Sequence, residues 1–210
     1  MTLPEPKLLL ITDRKQAAQP IAEIVAAALA GGCRWISLRE KDLSEDEQIA
    51  WVQKLLPLVR RFGARFTVHG NLAAAAMADG LHLPEGGDAR AARRRLGADR
   101  LIGLSVHTPK QAAAADTAAL DYLVAGPVYE SASKPGYGPA LGPEGLAAFA
   151  RATNFPVIAI GGIDAAHIPE VIAAGAAGVA VMGGVMQAAD SAQTVQDLVA
   201  ALMRAKSRDR

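Results

Sequence analysis

The sequence predicts a single closed (β/α)8 barrel over residues 1–210. Three observations point there. Short apolar runs alternate with amphipathic helical stretches eight times along the chain, with no break in composition and no interdomain linker. The turn after the first apolar run reads Thr12-Asp13-Arg14, where an open doubly wound sheet would carry Gly-x-Gly-x-x-Gly. The length, 210 residues, sits near the lower limit of about 200 for this barrel.

Each element follows from local pattern. Leu8 to Thr12 is a continuous apolar run, as in a strand buried on both faces. Ile21, Ile24, Val25, Ala28 and Leu29 line one helical face, which Gly31-Gly32 stops. Trp35 to Arg39 is the second strand. Ser44 with Glu47 forms a capping-box pattern. The helix after it carries Ile49, Val52, Leu56 and Val59, and Pro57 inside it predicts a kink or an early end. Phe66 to His69 is strand three, with an Ala-rich helix after Asn71. Leu81 to Leu83 is strand four, with a helix over Ala89 to Leu96. Leu101 to Val106 is strand five, with Pro109 in the first turn of the next helix. Tyr122 to Ala125 is strand six; a Gly/Pro/Ser-rich loop runs from Pro127 to Pro143, and a helix starts at Glu144. Val157 to Ile160 is strand seven, with Asp164 opening its helix. Gly178 to Met182 is strand eight, and Val195, Leu198, Val199 and Leu202 mark the last helix.

Composition excludes several classes. Apolar residues make up 51%, enough for a large core, and charged residues 20%. Net charge is +1, which gives no electrostatic reason to expect nucleic acid or an anionic membrane as partner. A single cysteine, Cys33, rules out an intramolecular disulfide and a cysteine-based zinc site. Ala is unusually frequent at 45 residues. The first residues lack a basic and long apolar leader, and no uncharged apolar run reaches about 18 residues. A cytoplasmic protein is expected, with Lys206 to Arg210 as a solvated tail. A homodimer is compatible with the sequence.

In such a barrel the chemistry sits at the C-terminal ends of the strands. Gly161-Gly162 and Gly183-Gly184 follow strands seven and eight, where backbone N–H groups and a helix N-terminus suit a phosphate. Arg39 and Lys41 alternate outward from strand two and could hold a second anion; pairing with Glu40 or Asp42 is the plainer alternative. Ser131, Ser133 and Lys134 lie in a loop that reads either as a hydroxyl- and amine-bearing cover over an anion or as ordinary surface. Ser105 and His107 share a side of strand five, and a neutral imidazole there suits proton transfer. His82 reads as a hydrogen-bonded core or rim residue. No H-E-x-x-H, D-x-D or Walker pattern occurs, so no dedicated metal site is expected.

Ordered segments over almost the whole chain resemble the thiamine phosphate synthase and TenI superfamily. They include Leu10-Ile11-Thr12-Asp13, Ile36-Ser37-Leu38-Arg39-Glu40-Lys41, Asp79-Gly80-Leu81-His82-Leu83 and Ile102-Gly103-Leu104-Ser105-Val106-His107. Further on come Asp121 to Val128, Ser131 to Gly136, Pro156 to Ile163 and Ala176 to Met182. For a synthase, the resemblance implies diphosphate contacts from Arg39, Lys41, Ser105 and Lys134, thiazole phosphate contacts from the glycine pairs, and Mg²⁺ on the diphosphate. The synthase pattern has Asn-Asp after strand three and Gly-Gln-x-Asp after strand four; here stand His69-Gly70 and Pro84-Glu85-Gly86-Gly87. Its strand-two Gln is Ser37. The TenI side fits those gaps better. The leading expectation is therefore a metal-independent thiazole tautomerase without cofactor, acting on a phosphorylated thiazole, with His107 moving the proton. A divergent thiamine phosphate synthase is the alternative, and a non-catalytic precursor-binding barrel the second.

Overall fold

A computed structural model describes residues 2–130 and 140–208. Eight parallel strands close into one barrel in chain order. They are β1 (Leu8–Ile11), β2 (Trp35–Leu38), β3 (Arg65–His69), β4 (Gly80–Leu83), β5 (Leu101–Val106), β6 (Tyr122–Ala125), β7 (Val157–Ile160) and β8 (Gly178–Val181). The helices are α1 (Ile21–Ala30), α2 (Glu45–Arg61), α3 (Leu72–Met77), α4 (Ala89–Leu96), α5 (Pro109–Ala113), α6 (Gly142–Ala152), α7 (Ile168–Ala173), α8 (Gly183–Met186) and α9 (Ser191–Arg208). Closure is made by β1 against β8, with Leu8 opposite Val179 and Leu10 opposite Val181.

Two apolar layers explain the unbroken strand patterns. Leu9, Ile11, Trp35, Leu101, Tyr122, Val124, Ile158 and Ala180 fill the barrel, with Leu3 packed among them. Alternate residues such as Leu8, Leu10, Ile36, Leu38, Phe66 and Val68 face outward onto the helices. A strand buried on both faces has no polar side to show. No helix among the described residues is long and apolar enough to cross a membrane.

Several local expectations are corrected. The capping box at Ser44 and Glu47 forms, but α2 neither stops nor starts anew at Pro57; it runs on to Arg61. Val52 and Leu55 before the proline and Val59 after it are buried. Burying each is worth about 1.5–3 kcal/mol, which together exceeds the roughly 3 kcal/mol cost of an internal proline. The helix expected from Asp164 starts instead at Ile168; Asp164 accepts from the N–H groups of Ala166 (2.9 Å) and His167 (3.1 Å) in the preceding turn. A short extra helix, α8, opens directly at the second glycine pair, held by the buried Val185 and Met186.

Candidate active site

Arg39 and Lys41 leave the end of β2 in a braced segment. The Thr12 hydroxyl donates to Glu40 Oε1 (2.7 Å) and accepts from the Arg39 N–H (3.0 Å). Glu40, only 3% exposed, also accepts from the Arg14 N–H (3.1 Å). Arg14 grips both oxygens of Asp42 (2.5 and 2.6 Å), and Lys15 lies 3.1 Å from Asp42. The two carboxylates flanking Lys41 are thus held by Arg14 and Lys15. Among the described residues, no carboxylate forms an ion pair with Arg39 or Lys41. Partial burial, and then the charge of Arg39, lower the pKa of Lys41.

A polar row runs inside the wall beneath this rim. His82 on β4 is 4% exposed and bonds Ser105 Oγ through Nε2 (2.9 Å) and the Tyr122 hydroxyl through Nδ1 (3.2 Å). Burial, then the nearby charges of His69 and Arg39, push its pKa down to about 3, so it is neutral at pH 7. The sequence reading of His82 as a hydrogen-bonded core residue matches this, but it did not single out Tyr122 or Thr67. The usable signal was a glycine, Gly103, inside an apolar strand run, a mark of close approach by another group; in the structure it stands opposite Tyr122. A Cβ at Gly103 would lie 2.1–2.5 Å from the Tyr122 ring, so only glycine lets the ring lie across the barrel.

His107 lies on the rim. Its Nδ1 is 3.3 Å from the Gly126 carbonyl and its Nε2 3.9 Å from Glu85 Oε2. Its N–H donates to Gln111 Oε1 (2.7 Å). Capping of α5 falls to Thr108, which forms a capping box with Gln111.

The β7 and β8 ends are built from backbone. Gly161 (φ +105°) and Gly162 (φ +61°) adopt left-handed conformations. A Cβ would meet Pro127 at 2.6 Å in the first and the Glu130 carbonyl at 2.3 Å in the second. Gly183 and Gly184 open α8, and space is free around a Cβ at Gly184. Among the described residues, the N–H groups of these four glycines donate no loop or cap hydrogen bond. Ser131, Ser133 and Lys134 lie outside the described residues.

The polar side chains after β3 and β4 are engaged in local hydrogen bonds. Asn71 accepts from the Ala74 N–H (3.0 Å) and Asp88 from the Ala91 N–H (2.8 Å), each as a helix cap. Glu85 accepts from Gln111. Among the described residues no group of three or more His, Cys, Asp or Glu could hold an ion.

The family described as thiamine monophosphate synthase matches residues 8–185. A thiamine-phosphate synthase of Roseiflexus sp. (strain RS-1) is 41% identical over 199 residues, covering 93% of this chain and 84% of its own. The thiamine-phosphate synthase of Moorella thermoacetica is 38% identical over 201 residues, 94% and 96% of the two chains. A solved structure, thiamine phosphate pyrophosphorylase from Pyrococcus furiosus, superposes with a TM-score of 0.84 at 31% identity, covering 95% and 96%. The tautomerase expectation is overturned by these relatives, which carry the synthase name along almost the whole chain. That expectation rested on two short strand-end loops, whereas the likeness to synthases extends through the entire barrel. The chain belongs to the thiamine monophosphate synthase family.

Proposed function

We propose that this family member is a transferase that joins a pyrimidine-methyl diphosphate to a phosphorylated thiazole. In that reaction the thiazole nitrogen forms the new C–N bond. The C–O bond to the diphosphate breaks, and its electron pair leaves with the diphosphate. The observation that carries the reading is a mouth with two separate anion-compatible arcs: Arg39 and Lys41, with no described carboxylate partner, after β2, and four glycines with unused N–H groups after β7 and β8.

The cations and the Ser105 hydroxyl would hold the diphosphate, joined from outside the described residues by Lys134 with Ser131 and Ser133. The glycine pairs would hold the thiazole phosphate. Charge-assisted bonds to Arg39 would oppose the negative charge that grows on the leaving diphosphate. The proton-transfer role given to His107 belongs to the tautomerase; in a synthase this residue would shape the rim between Glu85 and Gly126.

The test is incubation with both substrates, with and without Mg²⁺, following thiamine phosphate and released diphosphate. Equimolar formation of the two is expected. No condensation under any condition would sink the transferase reading.

A further inference from the structure

The segment after β2 reads Arg39-Glu40-Lys41-Asp42, so cation and carboxylate alternate along the chain. Left to themselves, neighbours of opposite charge neutralise one another. The local backbone favours this. The Leu43 N–H donates to the Glu40 carbonyl (3.1 Å), which puts Lys41 and Asp42 side by side at the centre of a turn. An Asp42 carboxylate swung onto Lys41 would occupy the cation that an anionic ligand needs.

The β1–α1 loop takes that carboxylate away. Arg14 donates from both terminal nitrogens to the two oxygens of Asp42 (2.5 and 2.6 Å), a fork that uses the whole carboxylate edge. These bonds hold the Asp42 carboxyl well below its ordinary range and raise the Arg14 guanidinium. The pKa of Lys41 is instead lowered, by partial burial and then by Arg39, whereas a carboxylate in contact would raise it.

Most exposed ion pairs contribute little, because two mobile side chains must be ordered to form them. Here the loop that carries Arg14 is already tied on two sides. Toward β2, the Arg14 backbone N–H donates to buried Glu40 (3.1 Å). Within the loop, Asp13 accepts from the Lys15 N–H (3.1 Å) and from Gln16 Nε2 (2.6 Å). Toward α8, Gln16 Oε1 accepts from Gln187 Nε2 (3.2 Å), and the Ala18 N–H donates to the carbonyl of buried Met186 (2.9 Å). The fork is thus presented to Asp42 in a fixed place. Lys15 reaches Asp42 Oδ2 at 3.1 Å, but its side chain is 67% exposed and meets one oxygen only.

We infer that Arg14 is a positioning residue acting through Asp42: by holding that carboxylate in a fork, it keeps Lys41 and Arg39 open to an anionic group at the end of β2. The inference rests on reading that end of the barrel as the diphosphate site.

The experiment is calorimetric titration of inorganic pyrophosphate into the parent and three variants, each checked for folding by its melting temperature. Arg14→Ala keeps the N–H to Glu40 and loses only the fork; it should weaken pyrophosphate about 5–20-fold. The double variant Arg14→Ala/Asp42→Asn should return to within about twofold of the parent, because the released carboxylate is gone. Lys15→Ala removes the same charge but leaves the fork, and should cost no more than about twofold. Should Arg14→Ala fail to fold, Arg14→Gln carries the same comparison with the stem retained. A double variant as weak as the single one overturns the inference, as does full binding by Arg14→Ala. A Lys15→Ala loss equal to that of Arg14→Ala overturns it too, since bulk charge would then suffice, and so does a parent that binds no pyrophosphate. The expected pattern in a protein that forms no thiamine phosphate would leave the role of Arg14 standing and sink the transferase reading. Condensation without the rescue would do the reverse.

Discussion

The two anion-compatible arcs of the barrel mouth are made of different material. After β2, Arg39 and Lys41 offer charged side chains, and a buried carboxylate, Glu40, with Thr12 and Arg14 braces the backbone that carries them. After β7 and β8 the four glycines offer backbone instead: N–H groups without a loop or cap hydrogen bond among the described residues, and the left-handed Gly161 and Gly162, make the surface. A side-chain arc can lose affinity one charge at a time while the fold survives. A backbone arc ties ligand contact to chain conformation, so one added atom disturbs both.

The largest expected effect falls on the backbone arc. Gly162→Asp puts a carboxylate where a phosphate is proposed and a Cβ 2.3 Å from the Glu130 carbonyl. Backbone strain of about 1–3 kcal/mol and charge repulsion add, so kcat/KM should fall by about 10³ or more, with KM for the thiazole phosphate rising most. Steady-state kinetics with an unchanged KM would remove the phosphate from this arc. Next, Arg39→Ala should raise KM for the pyrimidine diphosphate by about 10–100-fold, the usual worth of a charge-assisted hydrogen bond, while the melting temperature hardly moves. A large loss of melting temperature with KM intact would make Arg39 structural.

A matched pair within the glycine arc separates strain from ligand contact. Gly161→Ala forces a side chain into a left-handed conformation against Pro127 and should lose about 1–3 kcal/mol of stability in urea unfolding. Gly184→Ala meets open space in a helical turn and should leave stability within about 0.5 kcal/mol. Equal losses would mean that the asymmetry between the two pairs is wrong.

The smallest effect is graded with pH. His82 titrates near 3 in the folded protein against an ordinary 6.5. Between those values the unfolded chain binds a proton that the folded chain refuses. Stability should therefore fall as pH drops below about 6.5, with a slope of at most about 1.4 kcal/mol per pH unit from this group. Urea midpoints at pH 7 and pH 5 should differ less in His82→Gln than in the parent; identical slopes would show that His82 is not the group responsible.

The order of strands and helices was legible because a barrel strand buried on two faces and a helix buried on one write different periods into the sequence. Boundaries were less so: Pro57 is a local breaker, and burial of its helical neighbours on α2 overrides it. The candidate cations and glycines could be named because strand ends are short and the architecture fixes which end carries chemistry. The tautomerase reading failed where two short loops were weighed against a whole barrel.

What the sequence by itself determined is the eight-fold alternation, the two-sided burial of every strand and the placement of Arg39, Lys41 and the glycine pairs at strand ends. Those are properties of local pattern. Only the tertiary structure decided that Glu40 and Asp42 belong to Arg14 and Lys15 rather than to Arg39 and Lys41. It alone joined Tyr122, His82 and Ser105 into one chain of hydrogen bonds. These partners lie 23 and 40 residues apart in the sequence. Which donor meets which acceptor across such separations is set by the register of the closed barrel, and register is a property of the paired strands and not of any one of them.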